Sequence, residues 1–322
     1  MPSRQQLIAI GLLVASACSH ESPPSTVQDA GGAAVDASTA ARDASIDAPV
    51  DASDDASIDA SVGSSADASV SAPDAGASVC GDGVINEGEA CDDAGAVPAS
   101  HCLEDCTVRP CGTRFDYRAL WLRGFRVCLA ESLATEEPTL AERVLTALDE
   151  DLSIIENELP AHAFTFLKRV TIWAEQAQDF PGGVYHPSAR WLANNGYPEE
   201  WARGIQLGHA QNYMSWVEQQ PAIVLHELAH AWHHQALGYD NPEIEAAYAA
   251  AMESGIYDEV AYVSGGTAEA YAKTNKQEYF AELTEAWFWR NDFYPFERAE
   301  LEAHDPAGAQ VIERAWAHRP SE

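Results

Sequence analysis

Ten consecutive residues, Ile223 to Trp232, are apolar at all but three positions, and those three are His226, Glu227 and His230. An apolar run of this kind makes a helix buried on every side, with Pro221 well suited to its first turn. A buried helix can keep two imidazoles and a carboxylate only where each has a partner, because an unpaired polar group away from water costs free energy. The spacing names the partner. Residues four apart lie on one helical face a turn apart, so His226 and His230 can hold the same metal ion. Glu227, next to the first histidine, can take a proton from water that the metal activates.

A hydrolytic zinc needs a third protein ligand and an open position. One known solution puts Gly three residues and His six residues after the second histidine. Here those positions are His233 and Ala236, which excludes it. His233 itself is one turn beyond His230, and three ligands along one straight helix make a poor tetrahedron. Glu243 and Glu245 compete for the role. Better placed are Glu278, Glu282 and Glu285, which recur at i, i+4 and i+7 among Tyr279, Phe280, Leu283, Trp287 and Phe288. So apolar a setting buries part of the stripe, and a buried carboxylate needs a cation.

The rest of the chain limits where folding can occur. From residue 19 to 79, Asp-Ala-Ser and its variants repeat without an aromatic residue, and eleven acids face the single base Arg42. Such a segment cannot bury enough apolar surface to offset chain entropy and reads as a disordered tether. It contributes about −10 to a formal net charge of −33, and the remainder is acidic too, which excludes nucleic acid as a partner. Ahead of it, Arg4 and the apolar run Leu7 to Val14 form an export signal too short to span a bilayer. The signal ends in Ala15-Ser16-Ala17-Cys18, which resembles the lipobox of bacterial lipoproteins. That resemblance implies a lipid on Cys18, with residues 1–18 as signal and an outer-membrane or cell-surface location. Plain cleavage and secretion is the alternative. The only membrane contact expected is through this anchor.

Six further cysteines, Cys80, Cys91, Cys102, Cys106, Cys111 and Cys128, read as disulfide candidates in an exported chain. Residues 80–111 open with Cys80-Gly81-Asp82-Gly83 and continue to Cys91-Asp92-Asp93. They resemble the cysteine-rich repeat of surface proteins from myxobacteria and similar bacteria. Their acidic loops offer calcium the oxygens it takes, although turns held by disulfides are the favoured reading.

Residues 112–322 have the composition of one globular domain of α+β class. Periodicity predicts a strand over Tyr117 to Ala130 and a helix capped by Thr139 and ended before Pro160. Short strands are expected at Val170 to Trp173 and Gly204 to Leu207, and turns at Gly182-Gly183 and Asn194-Asn195-Gly196. Helices follow from Pro221, from Pro242 to Met252 and from Lys276 to Trp289. Trp191, Trp201 and Trp216 could line a carbohydrate-binding surface, but packing is the commoner role of such residues.

The segment Tyr271-Ala272-Lys273-Thr274-Asn275-Lys276-Gln277-Glu278-Tyr279-Phe280-Ala281-Glu282 resembles the stretch that completes the site in the anthrax lethal-factor catalytic-domain family. Together with His226 to His230, two separated motifs agree with that family in order and spacing. The resemblance implies a zincin-like metallopeptidase domain with a small mixed sheet and one catalytic zinc on His226, His230 and Glu278. It further implies Glu227 as general base, Tyr271 as an assisting phenol, and Glu282 as a carboxylate steadying a ligand histidine. A strand near Ile205 to Leu207 would be the edge that pairs with a peptide or protein substrate. The competing readings are a zinc hydrolase of another bond or an exopeptidase, and a non-catalytic or differently specific zinc-containing surface lipoprotein. Glu227 and Tyr271, neither needed for structural zinc, weigh against the non-catalytic one. Nothing in the sequence sets an oligomeric state.

Overall fold

The computed structural model describes residues 111–112, 116–178, 182–217 and 219–320. Cys18, Cys80, Cys91, Cys102 and Cys106, the tether and the acidic loops considered for calcium lie outside them. Among the described residues no helix is long and apolar enough to cross a membrane.

The architecture is α+β with a small mixed sheet. The stretch expected as one strand is a hairpin, β1 (Tyr117–Leu122) antiparallel to β2 (Phe125–Ala130). Arg123 (φ 49) and Gly124 (φ 84) turn it with two left-handed residues, as tight hairpins require. Then come α1 (Glu131–Glu136) and α2 (Pro138–Glu158). Thr139 falls inside α2 rather than capping it. Pro138 takes the first turn instead, since it has no N–H to satisfy and its φ is already helical. The chain continues through α3 (Ala161–Leu167), β3 (Ile172–Ala174), β4 (Gly183–Tyr185), α4 (Ala189–Asn194) and β5 (Ile205–Leu207). Next are α5 (Ala210–Trp216), α6 (Ile223–Trp232), α7 (Pro242–Ser254), β6 (Val260–Ala261) and β7 (Thr267–Ala268). Last come α8 (Lys276–Phe288), α9 (Arg298–His304) and α10 (Pro306–Ala317).

The five-stranded sheet runs β1-β2-β3-β5-β4, with β2, β3 and β5 parallel and both outer strands antiparallel to their neighbours. This corrects one expectation. β5 is interior, and the edge is β4, whose Gly183 was read as part of a turn. Alternation divides the faces. Phe125, Val127, Leu129, Ile172, Ala174, Ile205 and Leu207 enter the main core with α2 and α6. Cys128, Trp173 and Val184 face the other way, with Trp201 and Leu192 over them. Cys111 is disulfide-bonded to Cys128, so the last cysteine of the 80–111 segment is tied to β2. Trp201 and Trp216 are packing residues, 1% and 8% exposed, and Trp191 is half-buried against Tyr197.

Two helices that lie side by side, α6 and α8, carry the polar residues singled out above. All ten residues of α6 are buried, as are Glu278 to Ala286 of α8. Trp316 of α10 sets their relation. It stacks on Trp232 of α6 with ring centroids 5.2 Å apart and lies over Phe280 and against Phe288 of α8. Its indole N–H donates to Thr284 of α8, and that of Trp232 donates to the Ala315 carbonyl. Truncating a buried Trp typically costs about 3–5 kcal/mol, so this wedge is a principal determinant of helix placement.

Candidate metal centre

His226 and His230 project from α6 toward Glu278 in the first turn of α8. The His226 Nε2 lies 3.0 Å from Glu278 Oε2, and His230 Nε2 lies 3.3 Å from the same oxygen. Asn275 fixes where Glu278 falls, because its side chain caps α8 by accepting from the backbone N–H groups of Gln277 and Glu278. The Thr274-Asn275 pair of the sequence motif thus has a local physical role. One ligand atom from each of His226, His230 and Glu278 lies within 4.8 Å of the others. Ligand atoms about 2.0–2.2 Å from a tetrahedral zinc stand roughly 3.3–3.6 Å apart, so two imidazole nitrogens and one carboxylate oxygen at this spacing fit the ion.

The other nitrogen of His226 is also engaged. Glu285 Oε1 lies 2.6 Å from Nδ1, while Glu282 Oε1 lies 4.0 Å from it. His226, Glu282 and Glu285 therefore form a second group close enough to hold a metal. It shares His226 with the first group through the opposite nitrogen. A proton on Nδ1 donated to Glu285 leaves Nε2 with its lone pair toward His230 and Glu278, which makes the first group the better site.

Glu227 is fully buried on the same helix, and its Oε2 accepts a 2.6 Å hydrogen bond from the backbone N–H of Tyr185 in β4. The approach is close because residue 183 is glycine. A Cβ there would stand 3.2 Å from Glu227 Cγ and 3.3 Å from its Oε1. Tyr271 lies in a 3₁₀ turn before α8, its ring centroid 6.3 Å from that of His226.

The charges agree with a cation-seeking site. Burial pushes the Glu278 carboxyl up, but His230 and His226 outweigh it and hold it well below the usual carboxylate range. Burial pushes the His226 imidazole down, and Glu278 and Glu285 outweigh that, raising it well above its ordinary value. Glu282 is pushed far up by burial, then by Asp292 and Glu285. Without a cation, the His226 imidazole has to carry the positive charge that these carboxylates draw in.

No protein-family model, no curated protein and no solved structure matches this chain. The site therefore stands on its own residues and on the motif resemblance.

His226, Glu227, His230, Glu278 and Tyr271 are brought together. Glu282 is near, but Glu285 makes the short contact to His226. His233, a competing ligand in the sequence, points elsewhere, packed between the rings of Tyr239 and Phe280. Glu243 pairs with Arg314 and Glu245 with Lys276, both at the surface. Tyr185 also belongs to the neighbourhood, through the backbone N–H that it donates to Glu227. No pattern in the sequence marked it, since it reaches the site through tertiary packing.

Proposed function

We propose that this chain is a zinc-dependent metallopeptidase of zincin-like fold, hydrolysing peptide bonds with Glu227 as general base. The observation that carries the reading is the convergence of His226, His230 and Glu278 from two buried helices, with Glu227 held beside them by β4. The lethal-factor-like pattern from Tyr271 to Glu282 supports the same assignment. A lipid on Cys18 would place the domain at the outer membrane or cell surface.

His226, His230 and Glu278 would hold the zinc. When bound, the ion supplies Lewis acidity that polarises a carbonyl and lowers the pKa of water toward neutrality. Glu285 holds His226 by Nδ1 and fixes its orientation. Glu227 takes the proton of the attacking water and passes it to the leaving nitrogen. The Tyr271 hydroxyl donates to the oxyanion that develops on the scissile carbonyl. The outer edge of β4 faces this arrangement, because the N–H of Tyr185 is turned toward Glu227. An extended substrate adding to that edge would run past Glu227.

Glu227→Gln tests the reading. The variant is expected to keep its zinc and to lose about 10²-fold or more in turnover of a peptide library, the scale of a general base. Normal turnover would contradict the assignment.

A further inference from the structure

β4 is three residues long and lies at the edge of the sheet, so β5 bonds only one side of it. On that side the Gly182 carbonyl accepts from Gly208 and the His186 N–H donates to Gly204. Alternation then turns the N–H and C=O groups of Gly183 and Tyr185 outward. A strand this short, paired on one side, frays unless its outer side is also held.

Tyr185 supplies the hold at two points on one helix. Its backbone N–H donates to Glu227 Oε2 at 2.6 Å. Its buried side chain reaches the π-helical turn His233–Leu237 that continues α6, a feature often found where a helix must place side chains for function. There Gln235 Nε2 donates to the Tyr185 hydroxyl oxygen at 3.0 Å, so the phenol proton goes to His234 Nδ1 at 2.8 Å. Burial, then Arg203, push the His234 imidazole down to about 4, so it is neutral near pH 7 and accepts that proton. Glu227 and His234 are seven residues apart, about two turns along the helix. Tyr185 therefore lies along it as a staple, with its amide at one end and its phenol at the other.

The phenol end is itself fixed. The His234 ring stacks on Tyr239 at 4.8 Å with 29° between planes, after Gly238 (φ 77) has reversed the chain. Gln235 Nε2 also lies 3.5 Å from the Arg203 carbonyl oxygen, and the Arg203 N–H donates to the His186 carbonyl at 2.6 Å. Gln235 thus ties the chain entering β5, as well as β4, to the helix. At the amide end, a hydrogen bond to a carboxylate is charge-assisted and directional. Holding Oε2 confines the whole Glu227 carboxylate, and with it the lone pairs that must meet the attacking water.

We propose that Tyr185 is a positioning residue for the general base, its hydroxyl clamped by His234 and Gln235 so that its backbone N–H keeps Glu227 in place. The catalytic consequence rests on the metallopeptidase reading; the clamp itself does not.

Tyr185→Phe keeps the ring and the backbone N–H and removes the clamp. Amide hydrogen exchange, read by NMR on the isotope-labelled full chain supplemented with zinc, reports the bond to Glu227 directly. Exchange at residue 185 is expected to rise about tenfold, the scale of one buried hydrogen bond. Exchange at His186, whose N–H is bonded within the sheet, should stay as in the parent. Where the parent cleaves a peptide, kcat should fall about tenfold with KM and zinc per chain unchanged. His234→Phe keeps a ring against Tyr239 but loses the acceptor, and should act in the same direction, so it decides the matter if Tyr185→Phe does not fold. Unchanged exchange at residue 185 in a folded variant, or faster exchange with unchanged kcat, would overturn the proposal. A parent that binds zinc but cleaves no peptide sinks the peptidase reading alone, and exchange at residue 185 still decides whether the clamp holds Glu227.

Discussion

Glu285 offers the sharpest division between what the motif resemblance implies and what the packing of α6 on α8 does. The resemblance gives the supporting carboxylate to Glu282. In the structure Glu285 Oε1 is 2.6 Å from His226 Nδ1 and Glu282 Oε1 is 4.0 Å away. Both are fully buried, so exposure does not separate them; distance does. A carboxylate on the distal nitrogen of a ligand histidine fixes its tautomer and raises its basicity, and losing it typically costs about 10–100-fold in metal affinity. Glu285→Gln keeps an acceptor for the Nδ1–H but removes the charge, so it belongs near the tenfold end, about 1.4 kcal/mol. Glu285→Ala removes both and belongs near the hundredfold end, about 2.7 kcal/mol. Glu282→Gln, lacking a short bond to lose, should change zinc affinity by less than about threefold. The assay is competition for zinc against a chromophoric chelator, with circular dichroism confirming that each variant is folded. If Glu282→Gln weakens zinc more than Glu285→Gln does, the assignment by distance is wrong.

Two further outcomes follow from particular contacts. Gly183→Ala would press a methyl against Glu227 and Ile223, each 3.2 Å away, and should lower kcat at least tenfold while zinc per chain stays constant; unaltered kcat would show that Glu227 does not need this close approach. Asp151 is pushed up to about 7 by burial, partly offset by the hydrogen bond from Tyr213. Because its folded value lies above the unfolded one, the folded state binds more protons between about pH 4 and 7, and stability falls as pH rises through that window. Asp151→Asn should flatten this part of the urea-stability profile, removing a loss on the order of 2–4 kcal/mol by pH 8; an unchanged profile would refute it.

The helix bearing the histidines was legible because its signal is local: apolar at every position except the three with chemistry. The end of α2 before Pro160 was legible for the same reason, since proline acts within a few residues. The hairpin at Arg123-Gly124 was not, because two residues were all that separated two runs of strand formers. Nor was the edge of the sheet. β4 is three residues long and begins with glycine, so its signal resembles a turn, and only its pairing with β5 reveals it. The choice between Glu282 and Glu285 lay beyond the sequence for a related reason. Helical spacing puts both on the face toward α6, and the placement of the two helices, wedged by Trp316, decides which one meets His226.

The central claim is that one zinc is held by His226, His230 and Glu278. Zinc per chain, measured by elemental analysis on the purified parent and on Glu278→Ala, tests it most directly. The account predicts one zinc in the parent and a large loss in the variant. One zinc in both would contradict Glu278 as a ligand, and none in the parent after supplementation with zinc would contradict the centre as a whole.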